Sequence, residues 1–297
     1  MIREDDPRFA LPVVLDIARQ GRFLPHALFK AVAVGIAHSH RYSRMAPQSL
    51  KRSYSITVAV LLVVVFGELL ALWLVADAVD VLFPSVVSLT WFAVASALVR
   101  TQLTLVRRPS GEFYSSFGVP NALTLFRLLN IPLLVALTPS FPDHRGLLAA
   151  GSVLFVLVAL SDFGDGFLAR SGNRVSEFGR IYDPLCDIAF NAGVCVALYL
   201  ADYLPAWYLV LALARFLLPI IGGAWVYVFR RPWRITPTFW GKATVAIHAA
   251  TVALIMIREL AASPFLFPLS ERFILLSGIL LAFNLLVIVE RGLSLME

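Results

Sequence analysis

Charge is scarce in this chain: 15% of its 297 residues are charged and 59% are hydrophobic, for a mean hydropathy of +0.81. Soluble domains average nearer a quarter charged, so the shortage excludes an ordinary soluble domain and points to the membrane class. Cysteine is nearly absent. Cys186 and Cys195 are the only two, close in sequence and both in stretches read as helical. They give neither a disulfide framework nor a metal-binding pattern. Internal repeats and low-complexity segments are also lacking. The start, "MIREDDPRFALPVV", has no basic stretch leading into an apolar core, so no cleavable signal peptide is expected. The net charge of +6 would suit nucleic acid, but basic cytoplasmic loops of a membrane protein account for it better, and no nucleic-acid partner is expected.

Long apolar runs, by contrast, are plentiful. Crossing a hydrocarbon core of ~30 Å takes about 20 apolar residues as a helix. Runs of that order lie at 55–76, 81–99, 119–140, 147–169, 184–202, 204–229, 243–260 and 272–290. They predict eight transmembrane helices, separated by Pro, Gly or charge clusters such as "PSFPDHRG" and "FRRPWRITP". Residues 1–53 are mixed, and "LPHALFKAVAVGIAHSH" reads either as a helix on the membrane surface or as an ordinary helix of a cytoplasmic tail. Lys51–Arg52, Arg100–Arg108, Arg170–Arg180 and Arg230–Lys242 all fall on one side of the arrangement, opposite Arg145, Arg258 and Arg272. The positive-inside rule puts that side, and both termini, in the cytoplasm.

Against this background stands "SDFGDGFLARSGNRVSEFGRIYDPLCD", Ser161 to Asp187. Asp162 and Asp165 are three residues apart at the end of one apolar run, about 60° apart around a helix axis. Asp183 and Asp187 are four apart at the start of the next run, about 40° apart. A short connection lets the two pairs converge. Four carboxylates that close repel and raise one another's pKa unless a cation neutralises them, and such hard oxygen ligands suit Mg²⁺, Mn²⁺ or Ca²⁺ rather than zinc. Gly166, Ala169 and Gly179 would let a ligand approach the backbone, and Arg170 supplies a fixed positive charge that fits phosphate. A solvated cytoplasmic loop is the plainer alternative; the helical spacing and the bracketing apolar runs count against it.

The pattern D-x2-D-G-x2-A-R-x8-G-x3-D-x3-D resembles the signature of the CDP-alcohol phosphotransferases, and Asp162, Asp165, Gly166, Ala169, Arg170, Gly179, Asp183 and Asp187 match it without a gap. "PNALTLFR" at 120–127 looks like the family's first core helix, and "GKAT" at 241–244 resembles the opening of its fifth. The resemblance implies an all-α integral membrane fold. In that reading residues 1–53 are a cytoplasmic N-terminal segment, 54–114 two additional transmembrane helices and 115–297 the six-helix catalytic core. It implies an enzyme of phospholipid biosynthesis that moves a substituted phosphate from a CDP-linked donor, often CDP-diacylglycerol, to a polar alcohol and releases CMP. Asp162, Asp165 and Asp183 would hold two divalent ions, Mg²⁺ or Mn²⁺. Asp187 would complete the metal site and act as the base. Asn121, Thr124, Gly166, Ala169, Arg170 and Gly179 would hold the CDP portion, and a homodimer in the cytoplasmic membrane is expected by the same resemblance. Ile188 follows Asp187 where the glycerol-phosphate enzymes often have lysine, which leaves the acceptor open.

Other polar residues have two readings each. Arg215 inside an apolar run would contact an acceptor phosphate or pair with an acid. Arg234 and Lys242 would bind an anionic acceptor or anchor the cytoplasmic side. Arg127 would bind phosphate or snorkel to the interface. Glu68 would pair with a basic side chain, His248 and Asn284 would make interhelical hydrogen bonds, and Trp207 would sit at the far interface. Two rival functions remain: a cation transporter, which would place acids near the midplane and often carry an inverted repeat, and a family member that binds lipid without catalysis.

Overall fold

The computed structural model describes residues 30, 33–35, 37, 40–171, 175–229 and 239–294. Each of the eight apolar runs coincides with a helix: α1 Gln48–Val75, α2 Ala78–Thr101, α3 Val119–Leu137, α4 Arg145–Ser171, α5 Glu177–Leu200, α6 Ala206–Phe229, α7 Phe239–Ala261 and α8 Leu266–Ser294. Among the described residues there is no strand, only an isolated bridge between Arg107 and Phe113. Six helices are long and apolar enough to cross a membrane, while α4 and α6 contribute the shorter apolar stretches Arg145–Ser161 and Ala206–Pro219. The protein is an all-α integral membrane protein. Its spans are helical because backbone polar groups find no water in hydrocarbon and must be satisfied within the helix, and the hydrocarbon thickness sets their length. Apolar side chains such as Val63, Leu74 and Leu286 stand exposed, as lipid-facing positions require. Pro84, Pro132, Pro184 and Pro219 lie inside helices, a placement membrane helices tolerate.

The chain divides into two compact units. The first comprises the chain up to Glu68, Ser88–Leu129 and Ala159–Cys186. Within it the Tyr54 hydroxyl of α1 donates to the carbonyl of Ser96 on α2 at 2.6 Å, and the Trp91 indole of α2 donates to the carbonyl of Leu128 on α3 at 2.8 Å. Polar side chains thus join helices where lipid supplies no hydrophobic drive for them to associate. Arg127, on the same stretch of α3, is 1% exposed. It does not snorkel to the interface, since protein atoms cover it.

The second unit comprises Leu69–Val87, Asn130–Val158 and Asp187–Glu297. Its α8 packs on α6 and α7. Gly193 of α5 lies so close to α3 that a Cβ there would stand 2.9 Å from Ile131 Cγ2. His248 makes the interhelical bonds expected of it: the Tyr208 hydroxyl lies 2.8 Å from Nδ1 and 2.7 Å from Ser277 Oγ, and Cys195 Sγ lies 3.7 Å from Nε2. These four buried side chains link α5, α6, α7 and α8. Tyr208→Phe leaves His248 and Ser277 short of a partner, and a loss of about 1–2 kcal/mol is expected, read as a lower melting temperature in detergent. The buried Oδ1 of Asn284 meets no hydrogen-bond partner among the described residues. Arg258 is tied down at the turn between α7 and α8 by Glu259 and Ser270, at 2.6 and 2.9 Å, and stacks over Phe267. Trp207 lies at the start of α6, 43% exposed.

Candidate active site

The first unit brings together four of the predicted site residues. Helix α5 opens at Glu177, and Ser176 before it acts as the N-cap: its hydroxyl accepts the Gly179 N–H at 3.1 Å, the bond by which a serine satisfies an orphan donor of the first turn. The same hydroxyl donates to Asn121 Oδ1 of α3 at 2.8 Å, while Asn121 Nδ2 donates to the Phe117 carbonyl at 2.6 Å. Asn121 is therefore held by both ends of its amide and is buried. One turn along α3, the Thr124 hydroxyl lies 2.9 Å from Asp183 Oδ1, with the Pro120 carbonyl 3.1 Å away as its other acceptor. The Cys186 thiol reaches the Thr124 carbonyl at 3.8 Å. Asn121, Thr124, Gly179 and Asp183 thus form one polar seam between α3 and α5.

Gly179 is the narrow point of that seam. A Cβ there would meet Asp183 Oδ2 at 3.2 Å, Ser176 Oγ at 3.6 Å and Asn121 Oδ1 at 3.7 Å. The absent side chain leaves room beside a carboxylate, a hydroxyl and an amide oxygen. Hard oxygen donors of this kind suit a hard divalent ion. Among the described residues no group of three or more His, Cys, Asp or Glu side chains gathers. The side chains of Asp162, Asp165, Gly166, Ala169 and Arg170 lie outside the described ones; their backbone forms the last turns of α4, with Gly164 close enough that a Cβ would meet Leu123 of α3 at 3.3 Å. Asp187 is half-buried one turn after Asp183 on α5, at the start of the second unit, and its carbonyl accepts Asn191 Nδ2 at 2.7 Å.

The proposed acceptor contacts belong to the second unit or fall outside the described residues. Arg215 on α6 is half-buried over the Phe216 ring at 5.8 Å, and its Nε has no hydrogen-bond partner among the described residues. Lys242 is exposed near the start of α7, and Arg234 lies outside the described residues.

Two participants escaped the sequence reading. Ser176 had a local signal, since a serine followed by a first-turn glutamate marks a helix start. Arg107 had none. Its Nε donates to Glu177 Oε2 at 2.9 Å, across 70 residues of sequence. Ser176→Ala is expected to cost about 1 kcal/mol of stability through the lost cap, measurable by thermal unfolding.

A family model described as CDP-alcohol phosphatidyltransferase matches residues 117–289, more than half of the chain. The chain belongs to this family. Among its relatives is the CDP-diacylglycerol–glycerol-3-phosphate 3-phosphatidyltransferase of Bacillus subtilis strain 168, 32% identical over 112 residues that cover 33% of this chain and 56% of the relative. The corresponding enzyme of Aquifex aeolicus is 33% identical over 129 residues, 43% of this chain and 68% of the relative. A CMP-forming cardiolipin synthase of Streptomyces coelicolor is 36% identical over 108 residues, 35% of this chain and 49% of the relative. The chain spans about half the length of the Bacillus and Streptomyces relatives. No solved structure matches it. The family is in general dependent on divalent metal, and α1 and α2 precede the matched region.

Proposed function

We propose that this protein transfers a phosphatidyl group from CDP-diacylglycerol, or a similar CDP-linked lipid, to a polar alcohol and releases CMP. The observation that carries the reading is the complete acidic motif of this family, with its Asp183 seated against Thr124 and the gap left by Gly179. Asp162, Asp165, Asp183 and Asp187 would hold two divalent ions, Mg²⁺ or Mn²⁺, which when bound supply charge neutralisation for the pyrophosphate and for the leaving oxygen. Asn121, Thr124, Gly166, Ala169, Arg170 and Gly179 bind and orient the CDP portion. Asp187 takes the proton of the acceptor hydroxyl as that oxygen bonds to the lipid-bearing phosphorus, and the bond from this phosphorus to the bridging oxygen breaks, so that CMP leaves with the electron pair. Arg215, Arg234 and Lys242 would meet an anionic acceptor.

The basic segments Lys51–Arg52, Arg100–Arg108, Arg170–Arg180 and Arg230–Lys242 alternate with the apolar runs so that they fall on the same side as the motif, which supports a cytoplasmic site and cytoplasmic termini in the cytoplasmic membrane. There, acyl chains stay in the bilayer while an acceptor enters from water. Acids at helix ends also argue against an ion path through the midplane. The names of the Bacillus and Aquifex relatives point to glycerol 3-phosphate as acceptor, and a homodimer remains part of the proposal. The test is CMP release by the purified protein with CDP-diacylglycerol and Mg²⁺, adding glycerol 3-phosphate, phosphatidylglycerol, inositol phosphate and serine one at a time. Release that depends on one acceptor names the product. Donor binding without release under any acceptor would instead identify a lipid-binding member.

A further inference from the structure

We infer that the segment between α2 and α3, through Arg107, is a brace that positions the donor-binding turn of α5; the inference rests on the transferase reading of that turn. The segment lies before the family-matched region, yet it is firmly built. Arg107 and Phe113 pair as an antiparallel bridge, Arg108 N–H donates to the Glu112 carbonyl at 2.8 Å, and Tyr114 N–H to the Val106 carbonyl at 3.2 Å. Gly111, at φ +95°, makes the reversal, in a region of backbone space that glycine enters without strain.

From this small hairpin, contacts reach both sides of the α5 start. The buried Arg107 donates from Nε to Glu177 Oε2 at 2.9 Å, and its carbonyl accepts the Glu177 N–H at 3.0 Å. The two residues are thus joined by side chain and backbone together. The Tyr114 hydroxyl reaches the Val175 carbonyl at 3.3 Å, one residue before the Ser176 cap. A line of aromatic rings runs alongside: Tyr54 of α1 meets Phe117 edge-on at 5.1 Å, Phe117 meets Phe178 at 5.4 Å, and Phe178 stacks on Tyr182 at 4.2 Å. Phe117 N–H is in turn held by Ser53 of α1 at 3.1 Å. The residues fixed in this way, Val175, Glu177, Phe178 and Tyr182, interleave with Ser176, Gly179 and Asp183. Helix starts fray readily, because their first four N–H groups have no partner within the helix. The brace holds the first turn of α5 so that Gly179 and Asp183 keep their spacing to Asn121 and Thr124. Arg107 is thus a positioning residue. Asp187 lies a further turn along the helix, where a loosened first turn disturbs it least.

The test measures KM for CDP-diacylglycerol, kcat for CMP release, CDP affinity and melting temperature in wild type, Glu177→Gln, Arg107→Lys, Tyr114→Phe and the exchanged pair R107E/E177R. The inference predicts a donor KM raised about tenfold in Glu177→Gln and Arg107→Lys, with kcat within about twofold, a smaller rise in Tyr114→Phe, and partial recovery in the exchanged pair. Unchanged donor KM in both single variants overturns it. So does a fall in kcat and melting temperature without a change in KM, the signature of a merely structural pair. Wild type that binds CDP but releases no CMP overturns the transferase reading alone; a tenfold weaker CDP affinity in the same variants then upholds the brace, and equal affinity overturns it. Wild type that does not bind CDP overturns both.

Discussion

Asp187→Asn is expected to lower CMP release by about 10²–10⁴-fold, the range that a positioned general base contributes. The substitution keeps the size and shape of the side chain and removes both the negative charge and the capacity to take a proton. The helix around it should persist, because the contact that Asn191 makes runs to the Asp187 backbone carbonyl and is indifferent to the side chain. Asp187 is half-buried, one turn beyond Asp183 on α5. As Asp187 also completes the proposed metal site, donor affinity should weaken, but far less than turnover. Measuring CMP release beside CDP affinity separates the two effects. A variant that keeps more than a tenth of the wild-type rate would show that another group receives the proton.

The positions of the helices were legible in the sequence as apolar runs, though only six of the eight helices are long and apolar enough to cross a hydrocarbon core. Helix ends were less so. The apolar run of α5 begins near 184, yet the helix begins at Glu177, since its first two turns carry Arg180, Asp183 and the small Gly179 and so are invisible to hydropathy. Likewise α8 starts at Leu266 rather than 272, with Glu271 and Arg272 inside it. Within the site, i,i+4 spacing was enough to put Asp183 and Asp187 on one stretch of helix. That Thr124 meets Asp183 across 59 residues, or Arg107 meets Glu177 across 70, depends on which helices become neighbours, and periodicity carries no such information. The polar residues of α7 illustrate the same limit: His248 was readable as a hydrogen-bonding residue, but its partners Tyr208 and Ser277 were not.

Gly179→Leu is expected to lower kcat/KM by about 100-fold while leaving the protein as stable as wild type. Gly179 sits in the first turn of α5 with ordinary helical geometry, so a side chain meets no backbone strain there. In a helix interior, replacing glycine by a good helix former gains up to about 1 kcal/mol. The cost is steric and local. The first carbon alone would stand 3.2 Å from Asp183 Oδ2, so the carboxylate must give by a few tenths of an ångström for alanine and by more for leucine. A displacement of about 1 Å in a reacting constellation is enough for a 10²-fold loss. Gly179→Ala should therefore fall between wild type and leucine, with both losses appearing in CDP affinity as well as in turnover. Melting temperature supplies the control, because a variant that merely unfolds would lose stability and activity together. Leucine at 179 with activity within threefold of wild type would mean that the donor does not use the gap beside Asp183, and the proposed seat of the CDP portion would have to be moved.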